Sequence, residues 1–154
     1  MTRKIIGLFA WLAGSLAAGF VGSRWMPGAW YDALIKPSFN PPDWIFAPVW
    51  TLLYVLMGVA AWKVWKVAGF AGARAALGLF VGQLCLNALW SYIFFGAHRL
   101  GTALAEIVLL WCAILATIMM FRKVDRCASI LLVPYLMWVS FAAVLNLQLW
   151  RLNP

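Results

Sequence analysis

Five apolar runs of about twenty residues decide what this chain can fold into. They lie at roughly 5–21, 44–64, 75–95, 102–121 and 128–150. A hydrocarbon core about 30 Å thick is crossed by about 20 helical residues. Lipid offers a bare backbone no hydrogen-bond partners, so runs of this kind are expected as helices. The period-two alternation of a membrane barrel is absent. Composition agrees: the chain is 66% hydrophobic and 10% charged, against about 45–50% and 25% in soluble domains. We therefore expect an all-α integral membrane protein, a single domain over 1–154. The N-terminal run shows no clear cleavage site before Arg24 and is read as a retained first span.

The formal charge of +8 does not point to nucleic acid. The basic residues flank the spans, where Lys and Arg snorkel and set topology, and no dense basic run occurs. Arg3, Lys4, Lys63, Lys66, Arg74, Arg122, Lys123 and Arg126 would share one side of the membrane. Arg24, Lys36, Arg99 and Arg151 would share the other. The positive-inside rule then places the N-terminus in the cytoplasm if the membrane is a plasma membrane. A bacterial membrane is expected, with an outer membrane as the other route. Cys85, Cys112 and Cys127 are odd in number and lack metal-ligand spacing, so they read as small apolar packers. His98, beside Arg99, reads as a solvated interfacial residue. No metal site is expected.

The stretch from Trp30 to Tyr54 stands apart. It holds Pro37, Pro41, Pro42 and Pro48, with Trp30, Tyr31, Phe39, Trp44, Phe46, Trp50 and Tyr54. A span needs no stiff aromatic leader, so residues 25–43 are read as a structured first loop capping a ligand cavity. Asn40-Pro41-Pro42-Asp43 reads as a helix start, with Asn40 as cap and Pro41 in the first helical position. Pro48 is expected to bend the helix that follows.

Helical spacing then selects faces. Span two puts Trp50 and Tyr54 on one stripe. Span three offers Gln83, Asn87, either Trp90 or Ser91, and Phe94. Span four carries Glu106, free to snorkel or to pair with Arg99. Span five aligns Pro134, Trp138, Ala142, Leu145 and Asn146. Polar members are too costly to face lipid and should point inward. Together they suggest a pocket for a flat apolar molecule with a few polar edges. No hydrolytic triad, paired carboxylates or phosphate-binding loop is present. Small residues at Gly14, Ala18 and Gly22, and at Ser15 and Gly19, suit close helix packing. Gly78 and Gly82 suit either bundle packing or a homodimer seam.

WYDALIKPSFNPPDW (30–44), APVWTLLY (47–54), GQLCLNALWSYIFFG (82–96) and PYLMWVSFAAVLNLQLWR (134–151) resemble the translocator protein family, also called TspO/MBR or tryptophan-rich sensory proteins. FVGSR (20–24) adds to the likeness, which covers essentially the whole chain. The resemblance implies a five-helix bundle whose first loop caps a cavity. It implies ligands such as protoporphyrin IX, sterols, and isoquinoline or benzodiazepine drugs, with no required cofactor. It carries pocket positions to Tyr31, Trp50, Tyr54, Asn87, Trp90, Glu106, Trp138, Ala142 and Leu145. Glu106 stands where many relatives have Asp. A porphyrin or sterol transporter and a light-dependent porphyrin-degrading enzyme are the alternative functions it implies, the latter through Trp50 and Trp138. The animal sterol pattern at the end of span five keeps Arg151 here but has Leu147 in place of its tyrosine.

Overall fold

The structure is a computed structural model, and it describes residues 2–154. Five helical segments are long and apolar enough to cross a membrane, and no strand occurs among the described residues. The first is α1 (Thr2–Gly22). A short α2 (Ala29–Ala33) follows in the first loop. The second span is a 3₁₀ turn, Asp43–Ile45, running into α3 (Phe46–Gly72). The third is α4 (Arg74–Ser91), closed by a π-helical turn, Tyr92–Gly96. The fourth is α5 (Leu100–Val124). The fifth is α6 (Arg126–Leu131) continued by α7 (Val133–Leu152).

Every expected span is present, but boundaries move. Span two runs eight residues past its expected end, so Lys63 and Lys66 ride on α3 and not in a loop. The helix breaks at Gly69, whose φ of 66° only glycine adopts cheaply. Pro48 falls in the first turn of α3, a position that tolerates a missing N–H. Asn40 does not cap that helix. Pro42 precedes the 3₁₀ turn, and Asn40 is used elsewhere. In span five, Leu132 interrupts the helix ahead of Pro134, which opens α7 at its start.

The core is built by α3, α4, α5 and the α6–α7 span. Met57, Ala60, Ala61 and Val64 of α3 meet Leu77 and Phe80 of α4, Ile107, Leu110 and Ile114 of α5, and Tyr135 and Val139 of α7. Phe80 stacks on Phe121, ring centroids 5.8 Å apart. Helix α1 lies at the edge of the bundle, against α3 and α4. It turns Ser15 and Gly22 inward, and Gly19 meets the Tyr54 ring. Gly14 faces open space, but Ala18 of the same row packs against the core and Gly22 meets Ser91, so both expected small-residue rows contribute to packing. Cys85, Cys112 and Cys127 are all exposed, contrary to their reading as internal packers. Helices α4 and α5 turn larger side chains such as Phe80, Leu84, Ile107 and Leu110 to the core, and α6 turns Ala128 and Ser129 inward beside Cys127.

The two ends of the bundle are tied differently. At one end, the Trp62 indole N–H donates to the Lys4 carbonyl (2.8 Å) and Lys63 pairs with Asp125 (3.3 Å). Asp125 also caps α6, accepting from the Ala128 N–H at 2.9 Å. Partial burial works to raise its pKa, but the Ala128 N–H and the Lys63 ammonium outweigh it and hold the carboxyl below its ordinary 3.8. A depressed carboxyl contributes stability above the unfolded-state value and loses it as pH falls through the folded one. Asp125→Ala should therefore cost about 1–2 kcal/mol at neutral pH. In thermal melts, the gap from wild type should narrow on acidification below 3.8. A gap that does not change with pH would remove the ion pair from this account.

Candidate ligand site

The other end holds a second aromatic cluster, with Tyr31, Trp90, Phe94 and Phe95 among its members. The first loop folds across it. Asn153, just past α7, accepts from the Ile35 N–H (3.0 Å) and donates to the Ile35 carbonyl (3.1 Å), and so clamps the loop by its backbone. Trp30 stacks on His98 with ring centroids 4.1 Å apart. His98 has a φ of 57° in the connection before α5. It is exposed, as expected. The Tyr31 hydroxyl donates to Asn40 Oδ1 (2.8 Å), which fixes the turn between them. Burial, aided by Asp43 and Asp32, raises the Tyr31 pKa above 10.0, so the phenol stays neutral. Lys36 lies over the Tyr31 ring, Nζ 4.8 Å from its centroid.

Beneath Tyr31 is a slit enclosing about 20 Å³, lined by Phe46, Trp90, Phe94, Phe95, Trp138, Phe141, Ala142, Leu145 and Asn146 as well. That is room for about one water molecule. Its rings touch one another: Trp90 and Phe94 at 4.9 Å, Trp138 and Phe141 at 5.6 Å, and Phe46 and Trp138 at 6.0 Å between centroids. The π-helical turn inserts an extra residue at the end of span three, and Phe94 and Phe95 both line the slit. Asn146 braces the floor. Its Oδ1 accepts from the Trp90 indole (3.3 Å), and its Nδ2 donates to the Leu100 carbonyl (2.9 Å).

Of the nine expected pocket residues, Tyr31, Trp90, Trp138, Ala142 and Leu145 line this slit. The other four do not. Trp50 stacks on Tyr54 (5.5 Å), and Tyr54 donates to Asn87 Oδ1. Glu106 is buried and unpaired, neither snorkelling nor bonded to Arg99. Trp90 settles the alternative on span three, since Ser91 turns toward Gly22 of α1. Pro134 is exposed, and Tyr135 takes its place on the inward stripe. Tyr135 and Phe141 each lie three residues from Trp138, a spacing that would have found them.

An all-helical bundle with five helices able to cross a membrane, and an aromatic slit at one end, defines a polytopic membrane protein. The model of the TspO/MBR family matches residues 6–151. The "Tryptophan-rich protein TspO" of Chlorobaculum tepidum is 45% identical, covering 100% of both chains. "Protein CrtK" of Rhodobacter capsulatus is 43% identical over 96% of this chain and 93% of its own. The human "Translocator protein" is 45% identical over 92% of this chain and 86% of its own. The chain belongs to the TspO/MBR family.

Proposed function

We propose that this protein binds porphyrins and related flat apolar molecules in the slit between α2, α3, the end of α4 and α7, and serves as a membrane binding or sensing protein. One observation carries the reading: seven of the ten residues lining the slit are aromatic. Such rings offer stacking faces for a macrocycle, each aromatic pair worth about 0.5–1.5 kcal/mol beyond buried area. Asn146 supplies a polar edge, and Lys36 over Tyr31 offers a cation to a propionate. Ligand sites of this kind occupy about 300–1,000 Å³, so binding requires the closed slit to open. The clamped first loop is the part we assign to that motion, as a lid over the site. Trp50, Tyr54, Asn87 and Glu106 would then form the deeper wall.

Protoporphyrin IX should quench the tryptophan fluorescence of the purified protein in a saturable way. Trp50→Phe combined with Trp138→Phe should weaken binding at least about tenfold, about 1.4 kcal/mol. Unchanged affinity would refute the site. Sterols and isoquinoline or benzodiazepine drugs are proposed as occupants of the same slit. The names "Translocator protein" and "Tryptophan-rich sensory protein" are borne by relatives. Binding ranks above transport because five spans provide no even inverted repeat. It ranks above photochemistry because only Trp138 of the two indoles reaches the slit. We also propose that a second copy of the chain seats on the outer face of α4. Gly78 and Gly82 have open space around them there and do not pack the bundle.

A further inference from the structure

The first loop is tied to itself more firmly than to the bundle beneath it. Within residues 28–40 the Asp32 N–H donates to the Gly28 carbonyl (3.0 Å), the Leu34 N–H to the Tyr31 carbonyl (3.2 Å) and the Asn40 N–H to the Pro37 carbonyl (3.0 Å). The Tyr31 hydroxyl closes the loop on Asn40, and Lys36 Nζ donates to the Asp32 carbonyl (3.1 Å). Among the described residues, only two hydrogen bonds join this segment to the helices, and both run between Ile35 and Asn153. They fall on the Ile35 backbone, while the Ile35 side chain is 62% exposed and takes no part.

Asn153 is itself well seated. Its Nδ2 also donates to the Leu149 carbonyl at 2.9 Å, and its backbone N–H donates to the same carbonyl at 3.1 Å. Leu149 is fully buried in the cluster that holds Tyr31, Phe94 and Leu145. Asn153 therefore joins the loop to α7, the helix that supplies Trp138, Phe141, Ala142, Leu145 and Asn146 to the slit. Tyr31 is the one slit residue that the loop contributes, and the other nine stand on the helices. Lifting the loop as one body removes the roof of the slit and leaves its walls in place. The other contacts of the loop are between rings, such as Trp30 on His98 and Phe39 on Phe141 (6.3 Å). Ring contacts tolerate sliding, whereas a hydrogen bond weakens steeply away from its geometry.

We propose that Asn153 is the latch of the lid: its paired hydrogen bonds to the Ile35 backbone set how often the loop lifts Tyr31 off the slit, and so how fast a ligand enters. The proposal rests on the slit being the ligand site, and it gives control of the entry rate to a residue that lines no part of that slit. A site whose open state is rare is entered at a rate scaled by the population of that state. Each hydrogen bond is of modest net worth, so losing both raises the open fraction about tenfold.

Stopped-flow quenching by protoporphyrin IX, with the full-length protein in lipid nanodiscs, reads the entry rate. Asn153→Ala should raise the association rate about tenfold, with Kd weakened by no more than about twofold. Asn153→Asp keeps an acceptor for the Ile35 N–H and loses the donor to its carbonyl, so its rate should fall between. Ile35→Ala should match wild type, because the latch uses only the backbone there. A second arm needs no porphyrin. Leu145→Cys puts a thiol into the slit, and its labelling by a water-soluble methanethiosulfonate, read at that residue by peptide mass, should quicken about tenfold when Asn153→Ala is added. An unchanged association rate in Asn153→Ala would overturn the latch, as would a loss of affinity that comes from faster dissociation alone. Equal acceleration by Ile35→Ala would overturn it too. Should Asn153→Ala fail to fold, a wild-type rate in Asn153→Asp is decisive against it. If porphyrin quenches no variant, the binding reading fails, and the labelling rate alone decides the latch, an unchanged rate overturning it.

Discussion

Gly58→Leu should detach α1 from the bundle and cost about 3 kcal/mol or more, near the upper end for overpacking. Gly58 is buried on α3 at its crossing with α1. A Cβ there would stand 2.9 Å from the Leu12 Cα and 3.1 Å from the Trp11 carbonyl oxygen. Those are backbone atoms and cannot rotate away. Lipid is as apolar as leucine, so no hydrophobic force presses α1 back once the backbones part. Close approach is what holds it, with Gly7 against the Trp65 ring and Gly19 against Tyr54 in the same seam. Gly14→Leu is the matched control, because nothing lies within 4 Å of a Cβ there. It should change stability by less than about 0.5 kcal/mol. Melting of both variants in one detergent decides the matter, and equal losses would mean that α1 is not held by this contact.

That pair of glycines also shows what could be read from the chain and what could not. The spans were legible because lipid admits no other use for twenty apolar residues. Which face of each span turns inward was legible only where polar groups forced it, as at Asn87 and Glu106. Span one has no such group beyond Ser15, so Gly14 and Gly19 looked equivalent, and only packing separates them. The same limit put Pro134 on the inner stripe in place of Tyr135. Both fit a helical period within one position, and the break at Leu132 resets the phase of α7. The effect of Pro48 is hard to read from the chain for a related reason. Its effect depends on where the helix starts, and the 3₁₀ turn at Asp43–Ile45 delays that start until Phe46. The pocket was legible as chemistry more than as shape. Five of its nine residues meet in the slit, while the other four lie on a second, deeper layer that only the crossing of α3, α4, α5 and α7 creates.

Ala142→Trp should abolish porphyrin binding while leaving the fold in place. Ala142 is the smallest side chain lining the slit, on the stripe of α7 that also carries Trp138 and Leu145. An indole there would project into the space that must widen for a ligand, between Trp138 and Asn146. The ties that hold the region would remain, since Asn146 still bonds Trp90 and Leu100, and Asn153 still clamps Ile35. Ala142 is only half-buried, so the added bulk has somewhere to lean and the cost in stability should stay within about 1–3 kcal/mol. The cost to a ligand is larger, because a macrocycle that loses its stacking faces loses them together. A drop in affinity of at least about 100-fold is expected, about 2.7 kcal/mol. Fluorescence quenching by protoporphyrin IX measures it, with helix content by circular dichroism as the check on folding. A folded Ala142→Trp protein that is still quenched at wild-type porphyrin concentrations would place the binding site outside the slit. The deeper layer of Trp50, Tyr54 and Asn87, reached by another path, would then be the remaining candidate.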